Sequence, residues 1–338
     1  MDNNVKVSII CNAYNQEKYI RRALEGFLRQ KTTFPFEVLV HDDASSDTTP
    51  QIIREYEQKY PGIIKPIYET ENQHSKHDGS LKRIQYGRIL GKYAAFCEGD
   101  DEWISCDKLQ KQYDYMEKNS GCTFCFTNAF LAVPGKKMKT YMVPQKHTGQ
   151  MFLNGDNHLS FEDVAAIPLI PTASFFIPSE VLLQMPAAPK EVFGGDLYIR
   201  LYAASRGYSH FMNEVTCIYN FRVPNSVTTR WNQSQNSWKK HLIRKVNLFE
   251  YLNEITNREH EPVLTKLSAE SQYEAAFASG DRKTVRCRQY YDIAKSKGLR
   301  EWLRYICFVF LPGVYRFVYF LKHGKDFQYE SCQGSGPF

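Results

Sequence analysis

Short apolar runs alternate with amphipathic polar stretches through the first 130 residues. The segment VKVSIIC, Val5 to Cys11, is rich in β-branched residues and reads as a buried strand. NAYNQEKYIRRALEGFLRQ then leaves that strand and enters a helix, with Ile20, Ala23, Leu24, Phe27 and Leu28 on one side. The plan repeats with a strand at Phe36–His41, a polar loop and a helix reaching Tyr60. IIKPIY predicts a third strand, SLKRIQYGRILG a helix, KYAAFCEGDD a fourth strand, DKLQKQYDYMEKN another helix and CTFCFTNAFLAV a fifth strand. This alternation predicts an α/β fold, a mostly parallel central sheet with helices on both faces. Ligands of such sheets bind beyond the carboxyl ends of the strands. Asn12–Tyr14, Asp42–Asp43 and Glu98–Asp101 each follow a strand directly, so the topology draws three polar clusters to one edge.

Residues 134–171 are loop-rich. A second ordered stretch runs from IPTASFFIPSEVLLQMP through FGGDLYIRLYAASRG to YSHFMNEVTCIYNFR, and residues 232–295 read as mainly helical. LRYICFVFLPGVYRFVYFLKHGK is apolar but broken by Arg304, Pro312, Gly313 and Arg316, against the ~20 mostly apolar residues that a spanning helix needs. Its Tyr, Arg and Lys suit a helix pair lying in a membrane interface, and a core or dimer-packing helix is the other expectation.

At 338 residues the chain is long enough for a large core. Its net charge of +6 reads as mild and spread out, compatible with an anionic ligand or surface, and no dense basic tract points to nucleic acid. Nine Cys without CxxC pairs or regular His partners argue against a zinc module and a disulfide framework. Cys11, Cys97, Cys122 and Cys125 lie on predicted strands, where buried free thiols and a reducing compartment are expected. MDNNVKVSII lacks a basic flank followed by an apolar run, so no signal peptide is expected.

The candidate chemistry centres on AAFCEGDDEW, where Glu98, Asp100, Asp101 and Glu102 crowd the end of an apolar run. Carboxylates so close repel one another unless a cation compensates them. Hard divalent cations such as Mg²⁺ and Mn²⁺ take oxygen ligands, and one or two protein carboxylates suffice when phosphate supplies the rest. A solvated acidic turn is the plainer alternative. Asp42 and Asp43, in VHDDASSDT, form a second acidic pair, with Ser45, Ser46 and Asp47 placed to cap the next helix. No G-x-G-x-x-G or G-x-x-x-x-G-K-[ST] pattern occurs. A carboxylate can instead accept hydrogen bonds from a base or ribose, and Tyr14 can stack on a base, which together describe a nucleotide-diphosphate site.

The segments VSIICNAYNQEKYIRRALEGFLRQ, FEVLVHDDASSDTTPQIIREYEQKYPGIIKPIYETENQHSK and GKYAAFCEGDDEWISCDKLQKQYDYM resemble the family 2 glycosyltransferases of the inverting GT-A fold, and among them bacterial capsular and O-antigen polysaccharide enzymes. The resemblance implies a Rossmann-like GT-A domain over residues 1–230, with a nucleotide-sugar half at 1–130 and an acceptor half at 131–230. A helical extension follows over 231–338, with a membrane-interface segment at 303–321. It implies donor contacts from Asn12, Tyr14, Asp42, Asp43, Glu98, Asp100 and Arg222. Mn²⁺ or Mg²⁺ would be held by Asp100 and Asp101, which the sequence does not rank, and Glu98 stands where the family more often has Asp. Asp196, in FGGDLYIRLYAASRG, matches the family's catalytic base, with helix capping as its plainer role. Gly194 and Gly195 are expected to admit substrate closely. Val223 replaces a family His, for which His241, Arg230, Lys239 and Lys240 are substitutes, while His147 is a weak acceptor-side candidate. Trp231 lies in a segment read either as a donor cover or as packing, and His74 and His77 read as surface residues.

The implied activity is transfer from a nucleotide-diphosphate sugar, with UDP the expected nucleotide, to a saccharide acceptor, plausibly lipid-linked, at the inner face of the cell membrane. A peripheral membrane contact and a homodimer are the accompanying expectations, and no nucleic-acid partner is expected. Two alternatives stay open at the level of sequence. One is a non-catalytic saccharide-binding or assembly subunit with a degenerate fold. The other is a nucleotidyltransferase, which CNAYNQEKYI disfavours because it lacks a glycine-rich, lysine-bearing phosphate loop.

Overall fold

The computed structural model describes residues 5–135, 137–141, 157–221, 223 and 235–323. Strands β1 (Val7–Ala13), β2 (Phe36–Asp42), β3 (Ile64–Tyr68) and β4 (Tyr93–Phe96) form a parallel block in the order β3-β2-β1-β4. Helices α1 (Ile20–Leu28), α2 (Thr49–Lys59) and α3 (Ser80–Tyr86) lie between them in sequence. The apolar side anticipated for α1 is the one that packs, with Ile20, Ala23, Leu24 and Phe27 buried and Leu28 half-buried.

Beyond β4 the sheet is mixed. β9 (Phe176–Pro178) runs antiparallel between β4 and β6 (Cys122–Ala132), β10 (Tyr208–Asn220) runs parallel to β6, and β5 (Glu102–Trp103) pairs antiparallel with β10. The mostly parallel sheet expected is found in the first four strands and in the long β6–β10 pair, and the antiparallel pairings are three residues or fewer. Short β7 (Lys139–Tyr141) and β8 (Asn157–Leu159) pair antiparallel with β6 and β10. Helices α4 (Lys108–Lys118), α5 (Phe161–Ala166), α6 (Ser179–Leu183) and α7 (Asp196–Ala204) complete the α/β part. It is followed by α8 (Gln235–Ile255), α9 (Glu261–Ala278), α10 (Arg282–Val285), α11 (Arg288–Ser296), α12 (Leu299–Phe310) and α13 (Pro312–His323).

Successive strand side chains point to opposite faces, and both faces of this sheet are dry. Val7, Ile9, Cys11 and Ala95 pack with α1, α2 and α4 in one cluster, while Ile10, Ala94, Phe96, Phe124 and Phe126 pack with α7, α8 and α9 in another. That two-sided burial explains why the strands read as near-continuous apolar runs. Cys11, Cys97, Cys122 and Cys125 are buried free thiols. A third cluster, around Tyr273, Phe277, Tyr305 and Phe308, joins α9 to α12.

Among the described residues no helix is long and apolar enough to cross a membrane. The apolar C-terminal segment is two helices because Leu311 leaves helical geometry (φ −126°, ψ 59°) and Pro312 opens the next helix.

Trp103 locks the acidic strand end to the body of the domain. It is fully buried, its indole N–H donates to the Ala173 carbonyl at 2.7 Å, Phe27 meets it edge-on at 4.9 Å, and the Lys108 ammonium lies 4.2 Å from its ring centroid. Gly26 admits this contact, since a Cβ there would sit 2.7 Å from the Trp103 carbonyl oxygen. Gly26→Ala should therefore cost ~1–3 kcal/mol of unfolding free energy. Gly62→Ala, where nothing lies within 4 Å, should leave the urea midpoint nearly unchanged, and equal midpoints for the two variants would contradict the packing argument.

Candidate active site

The parallel register places Ala13 opposite Asp42, and the Asp43 N–H donates to the Ala13 carbonyl at 2.9 Å. The loops after β1 and β2 are laced together. Asn15, in left-handed backbone at φ 53°, donates its N–H to Ser45 Oγ at 2.9 Å and accepts from the Ser46 N–H at 2.8 Å. The Gln16 N–H reaches Thr49 Oγ1 at 2.8 Å. Of the three residues expected to cap α2, Asp47 accepts from the Thr49 N–H at 2.9 Å, whereas the serines tie the loops instead.

The two aspartates at the end of β2 differ. Asp43 uses one oxygen on the Gln73 N–H at 2.6 Å and the other on the His74 N–H at 3.0 Å, so it holds the following loop. Asp42 is bonded by Ser45, but its Oδ1 is buried without a hydrogen-bond partner and burial raises its pKa. Buried acceptors without partners are costly, so such an atom marks a place for a donor. Tyr14, just past β1, is 38% exposed.

The acidic turn after β4 is held from both sides. The Gly99 N–H donates to the Asn12 carbonyl at 2.9 Å, and Glu98 accepts from Asn12 through side chain and backbone. Gln85 fixes Asn12 in turn, donating to its Oδ1 at 3.2 Å and to the Leu39 carbonyl at 3.0 Å. From β10, the Asn220 N–H donates to Asp101 Oδ1 at 2.9 Å and its Nδ2 to the Asp100 carbonyl at 2.7 Å. A Cβ at Gly99 would lie 2.3 Å from Gln16 Oε1 and 3.2 Å from the Ala13 Cβ, so a side chain there would displace the Gln16 amide and crowd the β1 loop.

Burial, then Asp100, then Asp196 push the Glu98 carboxyl up to about 8 despite the Asn12 bonds. Burial raises Asp100 and Asp101 as well, and Asp101 also feels Asp100 and Glu98. Asp101 is buried and has one oxygen on Asn220, while Glu98 and Asp100 are half-buried. Among the described residues no group of three or more His, Cys, Asp or Glu side chains is arranged to hold a metal. Two hard carboxylates at a crowded turn nonetheless fit a Mg²⁺ or Mn²⁺ ion whose remaining ligands come from phosphate and water.

Asp196 opens α7, with Gly195 as N-cap, and its Oδ1 accepts from the Leu197 N–H at 2.8 Å. It lies within electrostatic reach of Glu98, Lys82 and Lys245, which joins the acceptor-side acid to the acidic turn. Lys82, from α3, stands 5.3 Å from the Tyr198 ring centroid, and burial lowers it to about 8 against the pull of Asp196. The room at Gly195 is filled by the protein itself, since a Cβ would meet the Phe193 ring at 2.8 Å. His241 packs against Phe193 at 5.1 Å and is lowered to about 4 by burial, Lys245 and Arg244, so at neutral pH it offers no cation to a diphosphate. His74 and His77 meet edge-on at 5.6 Å on an exposed loop. Val223 is buried, and Arg222, His147, Arg230 and Trp231 lie outside the described residues.

The structure thus brings together Asn12, Glu98, Asp100, Asp101 and Asp196, with Asp42 on the adjoining strand end, and gives Asp43 a loop-holding role. Sequence reasoning missed Asn220, Gln85, Lys82 and Lys245. Each stands inside a helix or strand with no pattern around it. Only their tertiary contacts mark them.

The profile of Glycosyl transferase family 2 matches residues 8–167. An uncharacterized protein of Mycobacterium tuberculosis is 44% identical over 122 residues, which are 36% of this chain and 34% of that protein. The match thus spans about a third of that relative's length. TuaG of Bacillus subtilis, a glycosyltransferase assigned to teichuronic acid biosynthesis, is 29% identical over 240 residues, 69% of this chain and 85% of TuaG. Among solved structures, residues 1–349 of S. aureus TarS, in complex with UDP-GlcNAc, superpose with a TM-score of 0.56 at 18% identity, covering 89% of this chain and 90% of that one.

Asn220→Ala removes the side-chain donor to the Asp100 carbonyl and should lower stability by ~1 kcal/mol in urea unfolding. An unchanged midpoint would show that the side-chain staple contributes nothing.

Proposed function

We propose, from the match of the Glycosyl transferase family 2 profile to residues 8–167, that the chain transfers a sugar, with inversion, from a nucleotide-diphosphate donor to a saccharide acceptor. A UDP-sugar is the donor, and surface polysaccharide is the product class. The observation that carries this reading is the acidic turn Glu98–Asp101, which lies within the residues that the family profile matches and is held at the carboxyl end of β4 by Asn12 and Asn220.

The donor base sits by Tyr14, and the carboxylate of Asp42, whose buried Oδ1 lacks a partner, is the acceptor offered to its N–H. Residues 1–130 form the donor half and residues 131–230 the acceptor half. Asp100, the more accessible carboxylate, would make the primary metal contact, and Asp101, tied by Asn220, would support it. When bound, the divalent cation offsets the negative charge gathering on the leaving diphosphate. Asp196 takes the proton from the acceptor hydroxyl as that oxygen bonds to the anomeric carbon. The bond from that carbon to the diphosphate oxygen breaks on the opposite side, which inverts the configuration. Lys82 and Lys245 orient the Asp196 carboxylate by their charge.

Calorimetric titration with UDP, GDP, dTDP and CDP, with and without Mn²⁺, tests the donor site. UDP should bind in a metal-dependent way, and the double variant D100A/D101A should lose that binding. Tight binding of another nucleotide would redirect the donor assignment. No binding by folded protein would favour a degenerate, non-catalytic subunit. D196N should keep UDP binding while transfer falls by about 10²–10⁴-fold. Full transfer by D196N would remove Asp196 from the chemistry.

A further inference from the structure

Helix α12 is apolar on two opposite sides. Tyr305 and Phe308 are buried in the third core cluster. Leu299, Leu303 and Phe310 are exposed, at intervals of four and seven residues that return to one side of a helix. Helix α13 repeats the arrangement. Tyr315 packs edge-on against Phe308 at 5.0 Å, while Val314, Phe317 and Val318 are exposed at intervals of three and one. Leu299 is 71% and Phe317 63% exposed. Seven of the fourteen exposed large apolar side chains among the described residues fall between 299 and 318, so the exposure is clustered rather than scattered. Clusters of this kind mark interaction surfaces.

The charge around this face decides its partner. Residues 281–322 hold ten Lys and Arg against three Asp and Glu, and with Lys297 and Arg304 paired to Glu270 and Glu274 of α9 a surplus of five remains. Lys295 and Arg300 are exposed beside Leu299, and the Arg286 guanidinium lies 5.6 Å from the Phe310 ring centroid, so cations rim the apolar stripe at both ends. A second copy docking here by two-fold symmetry would bring the same positive surplus against itself. An anionic bilayer surface complements it, with apolar side chains entering the headgroup boundary and the cations meeting lipid phosphates. With twelve residues each, these helices are too short to cross a bilayer.

We infer that the exposed face of α12 and α13 is a docking surface for an anionic lipid bilayer. This rests on the face and its charge, not on the transfer reaction. The test is flotation of the full chain with vesicles of phosphatidylglycerol and phosphatidylcholine, beside vesicles of phosphatidylcholine alone. The protein should float with the anionic vesicles, and partitioning should fall about tenfold on neutral vesicles or in high salt. L303E/F317E should lose flotation, and K295E/R300E, which leaves the apolar stripe intact, should weaken it. L183E, at an exposed leucine on α6, should float as the unaltered protein does. UDP binding should be unchanged in L303E/F317E, so membrane docking and the donor site can fail separately. Absence of flotation by folded wild-type protein, or unchanged flotation of L303E/F317E, would overturn the inference. So would a dimer in sedimentation velocity that L303E/F317E dissolves without any vesicle binding, since a second copy would then cover the face.

Discussion

Carboxylates at a half-buried turn are the constraint around which the rest of this domain is arranged. Each of Glu98, Asp100 and Asp101 loses hydration, and Asp101 and Glu98 also repel their acidic neighbours. Left to local preference, such a turn would open toward solvent. It stays closed because Asn12 from β1 and Asn220 from β10 grip it from opposite sides, and because Gly99 removes the side chain that would push it off the β1 loop. Trp103 then anchors the residues that follow it in the core.

These grips explain the sheet's topology in functional terms. A wholly parallel sheet would deliver Asn12 and the acidic turn to one edge and nothing more. Insertion of the three-residue β9 between β4 and β6 brings β6, and with it β10, onto the same sheet. The far end of β10 thereby reaches Asp100 and Asp101. The second half of the chain therefore completes the turn begun in the first half, and α7 adds Asp196 within reach of Glu98.

The parallel block was legible because its strands are buried on both faces and its helices carry one apolar side, so periodicity and length distinguish them. The acidic residues were legible for a similar reason, since they interrupt apolar runs at strand ends. The mixed part was not. An antiparallel insertion of three residues leaves no periodicity to read, and Asn220 gains its role from a partner about 120 positions away, a separation that loop closure makes no local pattern for. Asp42 and Asp43 look alike in sequence, and only the Gln73 and His74 N–H groups separate a loop-holding carboxylate from one with an open oxygen. Charge was misleading for a different reason. A net +6 reads as mild and even along the whole chain, whereas residues 281–322 alone hold more than all of it.

That net charge is unevenly placed, since residues 1–280 hold 32 Lys and Arg against 32 Asp and Glu and the surplus lies beyond them. The acidic turn is held within the α/β part, while the basic surplus sits on α10 to α13, which pack on the third cluster. Exposed charges farther apart than a screening length of ~8 Å at physiological salt scarcely feel one another. The acidic residues feel one another across the site, and Asp196 is felt by Glu98, Lys82 and Lys245. Lys297 and Arg304 are paired with Glu270, Glu274 and Glu301, whereas cations such as Lys295 and Arg300 are exposed to whatever surface they face, and the charge on the turn is left for a cation-bearing ligand to compensate. One chain can in this way hold a site that attracts a metal-bound diphosphate and a face that attracts anions without either cancelling the other.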